Sequence, residues 1–357
     1  MFHSRLDRPL VTAVLLLSFG GLVLLYSASG GDWHLIAHQA IWLGIGLFVM
    51  GALGLTPPRY YRLIAPAFFI VVLLLLVLVL VIGSHHNGAR RWIDLGPILF
   101  QPSELMKIAL PLALAWFFHD HSPPPRWYFV FAALAIILVP SALILLQPDL
   151  GTAILIAGAG AMVLLLSGMH WRYVFAFLIV IGAALPLGWH FLHDYQRERL
   201  LTFLDPSRDP LGAGYHIIQS KIAIGSGGLF GQGFLGGSQA QLNFLPEQTT
   251  DFAFAVFSEQ FGYVGVLALL ALYAFIIGRG FVLAFRAHTR FGRLAAAGLI
   301  FTFLLYVVVN VGMVSGVVPV VGVPLPLVSY GGSSIVTVLA AFGILISIAS
   351  HRRLIDT

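Results

Sequence analysis

Long apolar stretches alternate with short polar connections along almost the entire chain. Each stretch runs for about 20 residues, the length that an α-helix needs to cross the hydrocarbon core of a bilayer. The apolar windows cover residues 9–28, 34–54, 62–83, 102–118, 128–146, 150–167, 173–192, 252–278, 294–314 and 333–350. This pattern predicts an all-α integral membrane protein with about ten transmembrane helices in a single polytopic domain, residues 1–357. A large external loop, 193–251, is predicted between spans seven and eight.

The composition agrees with a membrane-embedded chain. Of the 357 residues, 59% are hydrophobic and only 9% are charged, which does not match a soluble domain with one core. The first apolar run, from about Pro9 to Tyr26, lacks a small-residue cleavage site, so it is predicted to span the membrane. The lack of cysteine excludes disulfides and thiol catalysis. The net charge of +5 is interpreted through topology, and no nucleic-acid partner is expected.

The distribution of arginine predicts the orientation. With ten spans both termini lie on one side, where the connections and termini carry only three acids, Asp7, Asp120 and Asp356. The basic residues on the same side are Arg5, Arg8, Arg59, Arg62, Arg126, Arg172, Arg279, Arg286, Arg290, Arg293, Arg352 and Arg353. By the positive-inside rule this side is the cytoplasm.

The opposite face carries the unusual features. Eleven of the fourteen acids lie there, although acids contribute little to orientation and are costly near lipid. Two long connections, 84–101 and 193–251, are on the same face. A third, 315–332, reads SGVVPVVGVPLPLVSYGG and is too rich in Pro and Gly for a regular helix, so protein or a wet cavity must satisfy its backbone. These features predict an active site on the outer face.

The fourth span begins with a charged pair. Glu104 and Lys107 lie one turn apart on a helix for which Pro102 is a suitable first residue. They are either an ion pair that only neutralises itself inside the bundle or part of a functional cavity, and in both cases they avoid lipid. Upstream, Arg91 and Trp92 are either an interfacial anchor or a cradle for a phosphate, with the indole against a sugar.

The external loops contain further candidates. Asp149, in the short connection QPDLGTA, is interpreted as a turn or cap residue. Arg197 and Arg199, beside apolar residues 200–204, are typical of a helix lying on the membrane surface. The stretch 215–224, which carries Lys221, has the same character. Both stretches place basic groups at the depth of a lipid phosphate, either as plain anchors or as ligand contacts.

Three acids crowd the start of the eighth span, in NFLPEQTTDFAFAVFSEQFG. Asp251 is either a helix-start residue, which would gain about 0.3–1 kcal/mol from the helix N-terminus, or a functional group. Glu259, two turns further along, is predicted to hydrogen-bond within the bundle. Spacing alone leaves the two roles of Asp251 equally open.

Five motifs follow one another along the chain: RRWIDLG…QPSELMK, QPDLGTA, FLDPSRDP…GYHIIQSKIAIGSGGLFGQG, NFLPEQTTDFAFAVFSEQFGYVG and NVGMVSGVVPVVGVPLPLVSYGGSS. Together they resemble the SEDS family of bacterial cell-wall proteins, which includes RodA and FtsW, from about Trp92 to Ser334. The compact length resembles the elongation member, RodA, more than the division member, FtsW.

The resemblance implies a peptidoglycan glycosyltransferase that polymerises lipid II into glycan strands at the outer face of the plasma membrane. A sugar 4-hydroxyl attacks a sugar carried on a polyprenyl pyrophosphate, with inversion. Such a displacement needs one base to take the hydroxyl proton. The pyrophosphate leaves as an anion and therefore needs positive charge rather than an acid.

The resemblance also implies roles for particular residues. It makes Asp251 the general base or acceptor-positioning group, with Glu247 as its support. The residues expected to line the cavity beside Asp251 are Trp92, Gln101, Glu104 and Lys107. The candidates for pyrophosphate contact are Arg91, Arg197, Arg199 and Lys221. A divalent cation, Mg²⁺ or Mn²⁺, is a further candidate for that contact. The sequence contains no recognisable set of metal ligands, so whether a metal binds is left open.

The partners implied by the resemblance are a class B penicillin-binding protein, which supplies the transpeptidase, and the elongation machinery. The alternatives are a lipid II flippase, a scaffold that only recruits the penicillin-binding protein, and a division-specific polymerase. Charged residues within the spans cluster in the outer leaflet while the inner halves are nearly bare. That asymmetry favours chemistry at the surface over transport.

Overall fold

The computed structural model describes residues 7–86, 89–94, 96, 99–191, 197, 201–203, 205, 213–237, 239, 242, 244–245 and 247–351. The described helices are α1 (Arg8–Ala28), α2 (Trp33–Leu55), α3 (Pro58–Ile82), α4 (Pro102–Phe118), α5 (Trp127–Leu145), α6 (Leu150–Leu166), α7 (Trp171–Phe191), α8 (Ala213–Ser226), α9 (Ala253–Phe285), α10 (Arg290–Val314) and α11 (Gly332–Ser350). A helix therefore occupies each of the ten predicted windows. Within the described ranges, seven helices are both long and apolar enough to cross a membrane: α1, α2, α3, α5, α9, α10 and α11.

The helices pack around α4 and α10, which are the most enclosed elements of the bundle. Small residues let neighbouring helices approach closely, as is common in membrane proteins. A Cβ added to Gly298 of α10 would lie 2.9 Å from Cβ of Pro111 in α4. One added to Gly343 of α11 would lie 2.6 Å from the carbonyl oxygen of Met50 in α2. The apolar side chains of α2 and α3 are largely exposed, as expected for a surface that faces lipid.

The all-α prediction is wrong for the connection between α3 and α4. It forms a small antiparallel sheet of three strands, β1 (Ser84–His86), β2 (Ala89–Asp94) and β3 (Leu99–Phe100), in the order β1-β2-β3. A sheet pairs backbone groups that would otherwise need water at the membrane edge. The sequence signal for it is the Asn-Gly dipeptide at 87–88, the strongest short-range indicator of a hairpin.

The α9 helix is kinked at Gly262, whose φ of 63° is outside the helical region. The kink frees backbone groups, and the loop after α8 satisfies them. The amide of Tyr263 donates to the carbonyl of Gly228 at 2.9 Å, and the amide of Val264 donates to that of Leu229 at 3.1 Å. The loop is held against the helix by backbone pairing, and the glycines of the loop permit the close approach.

The irregular backbone predicted at 315–332 is present and extends from the end of α10 to the start of α11. Residues 315–331, called here the Pro-Gly segment, receive hydrogen bonds from side chains of three surrounding helices. Gln39 of α2 donates to the carbonyl of Ser329 at 3.0 Å, and Tyr273 of α9 donates to that of Pro326 at 2.7 Å. Asn310 of α10 donates to the carbonyl of Val323 at 2.6 Å. These bonds supply the internal partners that non-helical backbone needs at membrane depth.

At the predicted cytoplasmic end, an ion pair joins the first helix to α9. Asp7 is the N-cap of α1 and accepts from the amide of Leu10 at 3.1 Å. Arg279 donates to the same carboxylate through Nη2 at 2.7 Å and through Nε at 3.2 Å. Burial acts to raise the pKa of Asp7, but these hydrogen bonds and the charges of Arg279 and Arg286 lower the pKa below its usual value of 3.8.

We expect Asp7→Asn to lower the free energy of unfolding by about 0.5–1 kcal/mol at neutral pH, because Asn still caps the helix but cannot pair with Arg279. The pKa of Asp7 is depressed in the folded state, so its contribution is complete above the unfolded pKa and is lost as the pH falls through the folded pKa. Thermal unfolding of both proteins in nanodiscs should therefore show a difference at pH 7 that shrinks below about pH 4. A difference that does not change with pH would contradict the ion-pair assignment.

Candidate active site

A cavity of about 430 Å³ opens at the predicted outer end of the bundle. Several elements meet there: the start of α2, strand β2, the first turns of α4 and α6, the turn before α9, the end of α10 and the start of α11. The lining residues are His38, Trp42, Arg91, Trp92, Leu99, Gln101, Glu104, Lys107, Asp149, Thr152, Thr250, Asp251, Tyr306, Gly322, Val323, Pro324, Tyr330 and the run Gly331–Ser334. Six of the residues for which the resemblance implies a role at the site thus meet in one place: Arg91, Trp92, Gln101, Glu104, Lys107 and Asp251.

The predicted pair on α4 is present and buried. Lys107 donates to Oε1 of Glu104, and each residue has 6% of its surface exposed. The ammonium group of Lys107 also lies 4.2 Å from the centre of the Tyr306 ring, within range of a cation–π interaction. Oε2 of Glu104 is buried and has no hydrogen-bond partner among the described residues. One oxygen of this carboxylate therefore remains an available acceptor.

Arg91 and Gln101 converge on the turn between α5 and α6. Arg91 donates through Nε to the carbonyl of Gln147 at 3.2 Å and through Nη2 to that of Pro148. Its Nη1 lies 4.0 Å from Oδ2 of Asp149, which also accepts from Gln101 at 3.3 Å. These contacts fix the guanidinium at the cavity wall, with 26% of the side chain exposed.

Asp149 has a larger role than the sequence indicated. The predicted cap is present, since its Oδ1 accepts from the amide of Thr152 at 3.1 Å at the start of α6. The same side chain lines the cavity and balances the charge of Arg91. The turn motif predicted only the cap, because the neighbourhood of Arg91 depends on how β2 packs against the bundle.

Asp251 lies in a turn that precedes α9. The N-cap of that helix is Phe252, so the helix-start position expected for Asp251 belongs to the next residue. The backbone carbonyl of Asp251 accepts from Asn310 at 2.9 Å. A Cβ added to Gly322 would lie 3.4 Å from Oδ2 of Asp251, which places the carboxylate against the Pro-Gly segment. Asp251 is therefore part of the cavity wall.

The wall formed by α2 and the Pro-Gly segment was not predicted. His38 shares a 3.0 Å hydrogen bond with the hydroxyl of Tyr330, and its ring meets Trp42 edge to face at 6.2 Å. The indole of Trp42 packs against Gly332, where an added Cβ would lie 2.6 Å from Nε1. The amide of Tyr330 donates to the carbonyl of Thr249 at 2.8 Å and so ties this wall to the turn of Asp251. In the sequence these rings look like ordinary interfacial aromatics.

Three of the candidate residues that the structure describes, Lys221, Glu247 and Arg197, do not line the cavity. Lys221 is exposed on α8, with its ammonium 2.8 Å from the position of a Cβ added to Gly316. Glu247 is exposed and accepts from the hydroxyl of Thr250 at 2.8 Å, which stabilises the turn of Asp251 from outside. Arg197 is half-buried and is not among the residues that line the cavity. Arg199 lies outside the described residues.

Glu259 hydrogen-bonds as predicted, but to the external loop. It is completely buried, and its Oε1 accepts from the amide of Gln239 at 2.9 Å. The carbonyl of Glu259 accepts from the amide of Gln232 at 3.0 Å. Its carboxylate thus fastens the loop after α8 to α9 and takes no part in the cavity.

The arrangement combines three kinds of group. Asp251 supplies a carboxylate that can take a proton. Arg91 and Lys107 supply positive charge for an anion, and Trp42, Trp92 and Tyr330 supply rigid aromatic surface. No group of three or more His, Asp or Glu side chains in the described residues could hold a metal ion. The cavity thus offers a carboxylate, positive charge and aromatic surface to a ligand.

Comparison with known proteins identifies the family. The family model for FtsW, RodA and SpoVE, described as cell cycle protein, matches residues 8–354. The peptidoglycan glycosyltransferase MrdB of Escherichia coli K12 is 50% identical over 353 residues, which are 99% of this chain and 95% of that protein.

Solved structures agree with this assignment. A chain from a structure reported as "Structural coordination of polymerization and crosslinking by a peptidoglycan synthase complex" is 39% identical, with a TM-score of 0.86 over 98% of this chain and 99% of that one. The rod shape determining protein RodA of Thermus thermophilus is 32% identical, with a TM-score of 0.74 over 97% of each chain. The chain therefore belongs to the FtsW, RodA and SpoVE family, the SEDS family that its five motifs resemble.

Proposed function

We propose that this chain polymerises lipid II into peptidoglycan glycan strands, with Asp251 as the catalytic base. The observation that carries the proposal is the placement of Asp251 in one cavity with Arg91 and Lys107. A glycosyl transfer from a sugar pyrophosphate needs a base on one side of the reacting carbon and positive charge on the other. Both requirements are met by residues of this cavity.

In the proposed reaction Asp251 takes the proton of the acceptor's 4-hydroxyl as the oxygen attacks the anomeric carbon of the donor. The bond from that carbon to the pyrophosphate oxygen breaks, and the electron pair leaves with the polyprenyl pyrophosphate. Attack opposite the leaving group inverts the anomeric centre and gives a β1,4 link. Because the leaving group is already a stable anion, no second carboxylate is needed to protonate it, unlike in glycosidases.

Positive charge at the leaving group comes from Arg91 and Lys107. Both are held in place before substrate arrives, Arg91 by backbone carbonyls and Lys107 by Glu104, so little reorganisation accompanies the reaction. Arg197, Arg199 and Lys221 remain candidates for contact with a substrate that extends out of the cavity. Among the described residues no three His, Asp or Glu side chains are grouped as a metal site, and the proposal assigns no step to Mg²⁺ or Mn²⁺.

The proposal includes an orientation and partners. The ten apolar windows are taken as ten spans of a bacterial plasma membrane protein, and the positive-inside rule then puts both termini in the cytoplasm and the cavity on the outer face. A class B penicillin-binding protein would crosslink the strands, and the elongation machinery would direct synthesis. The similarity to MrdB and to a rod shape determining protein supports elongation over division.

A lipid II flippase is the second candidate, because it would bind the same substrate. Alternating access would require polar groups along the whole path. Lys107 and Tyr306 line both the cavity and a second space that adjoins it. Below them, the space between α4, α10 and α11 is lined mainly by apolar residues such as Ile300, Phe303 and Phe342. This distribution favours polymerisation.

Asp251→Asn should lower the polymerisation rate by about 100- to 10,000-fold, because the amide cannot accept the proton. The measurement is the yield of glycan strands from purified lipid II by the protein with its partner transpeptidase. Glu259→Gln serves as a control, since Glu259 is a buried carboxylate outside the cavity. Normal glycan from a folded, partner-bound Asp251→Asn variant would disprove the base assignment. Translocation of lipid II by the wild type without any polymer would support the flippase.

The pair on α4 can be tested as a structural or functional element. Lys107→Met alone leaves Glu104 buried and uncompensated, which should cost about 3–5 kcal/mol of stability. The double variant Glu104→Gln, Lys107→Met removes both charges and should regain most of that stability. We expect the double variant to fold, measured by thermal unfolding, and yet to polymerise lipid II at least about 100-fold more slowly. Recovery of activity together with stability would show that the pair serves folding alone.

A further inference from the structure

We propose that Asn310 is a positioning residue: by holding the backbone of Asp251, it fixes the position of the catalytic carboxylate. This inference rests on the proposed role of Asp251 as the base. Asn310 lies one turn before the end of α10, and none of its surface is exposed. It is not among the residues that line the cavity, so it acts through another residue and does not touch the substrate.

The side-chain amide of Asn310 joins two segments that carry the cavity wall. Its Nδ2 donates to the carbonyl of Asp251 at 2.9 Å and to the carbonyl of Val323 at 2.6 Å. One NH₂ group has two hydrogens, and here they hold two carbonyls from parts of the chain that are far apart in sequence. The distance between the turn of Asp251 and the Pro-Gly segment is thereby set by a single rigid group on a packed helix.

This link matters for chemistry because neither segment is regular. Asp251 precedes the first residue of α9, so the helix does not fix its backbone. Gly322, next to Val323, is the residue whose added Cβ would lie 3.4 Å from Oδ2 of Asp251. Loss of the amide would let the two segments move relative to each other, and the carboxylate would move with the turn. A base displaced by about 1 Å can lose on the order of 100-fold in rate.

The alternative is that Asn310 only stabilises the Pro-Gly segment, and the chain offers a matched control for it. Tyr273, in α9, also donates one buried hydrogen bond to that segment, at the carbonyl of Pro326. Its side chain has 1% of its surface exposed. Tyr273→Phe removes this bond without touching the turn of Asp251. If anchoring of the segment is what matters, Tyr273→Phe and the Asn310 variants should behave alike.

The experiment compares Asn310→Leu, Asn310→Asp and Tyr273→Phe in the full chain with its partner transpeptidase, assayed with purified lipid II. Leu and Asp match the shape of Asn closely; Leu has no donor and a carboxyl group has at most one O–H, so neither can donate to both carbonyls. We expect both Asn310 variants to lose about 100-fold in kcat while KM changes by less than about twofold, because the binding groups are intact. Tyr273→Phe should keep kcat within about threefold, with a decrease in Tm comparable to that of Asn310→Leu.

Three results would overturn the inference. The first is a kcat within threefold of the wild type in either folded Asn310 variant. The second is an equal loss of kcat in Tyr273→Phe at a similar Tm. The third is a rise in KM with unchanged kcat. The Asp251→Asn variant, measured in parallel, separates the two proposals: if it remains active, the base assignment fails, whereas inactivity of Asp251→Asn beside active Asn310 variants refutes only the role of Asn310.

Discussion

The structure depends on one constraint: backbone groups at membrane depth need hydrogen-bond partners inside the protein. Regular helices satisfy this constraint by themselves, but part of the cavity wall is non-helical backbone. Residues 315–331 take bonds from Gln39, Tyr273 and Asn310, which belong to three different helices. At the kink of α9 at Gly262, the loop after α8 accepts hydrogen bonds from the backbone amides that the kink frees. Each irregular stretch is therefore attached to the bundle at defined points.

The charged groups of the cavity are held by contacts of their own. A polar cavity in a membrane protein must hold its charged groups away from lipid, and both cations here have neighbours that fix them. Lys107 is paired with Glu104, and Arg91 is held by the turn before α6 next to Asp149. The two walls are linked through the amide of Tyr330 and the carbonyl of Thr249. Preorganised charge of this kind is the main means by which enzymes stabilise a leaving anion.

Much of the fold follows from the order of residues. Hydropathy placed a helix in each of the ten windows, and the richness in Pro and Gly marked 315–332 as irregular. The motifs picked out Asp251, Glu104, Lys107, Arg91, Trp92 and Gln101, which all line one cavity. The sheet between α3 and α4 was not predicted because apolar windows of about 20 residues cannot detect short strands, although the Asn-Gly at 87–88 indicates a hairpin.

Other features depend on contacts between residues distant in the chain. Asp149 looks like a simple cap until β2 brings Arg91 beside it. His38 and Trp42 look like interfacial aromatics until α11 packs against α2 and sets Tyr330 and Gly332 next to them. Asn310 begins the fifth motif, but nothing local indicates what it binds, since its two partners lie 59 and 13 residues away. Periodicity and charge are local properties, which suffice to predict spans and an orientation, and the sequence motifs single out Asp251 as the candidate base. The cavity walls and the groups that hold that residue arise only when the helices pack, because each of their hydrogen bonds joins backbone and side chains from separate elements.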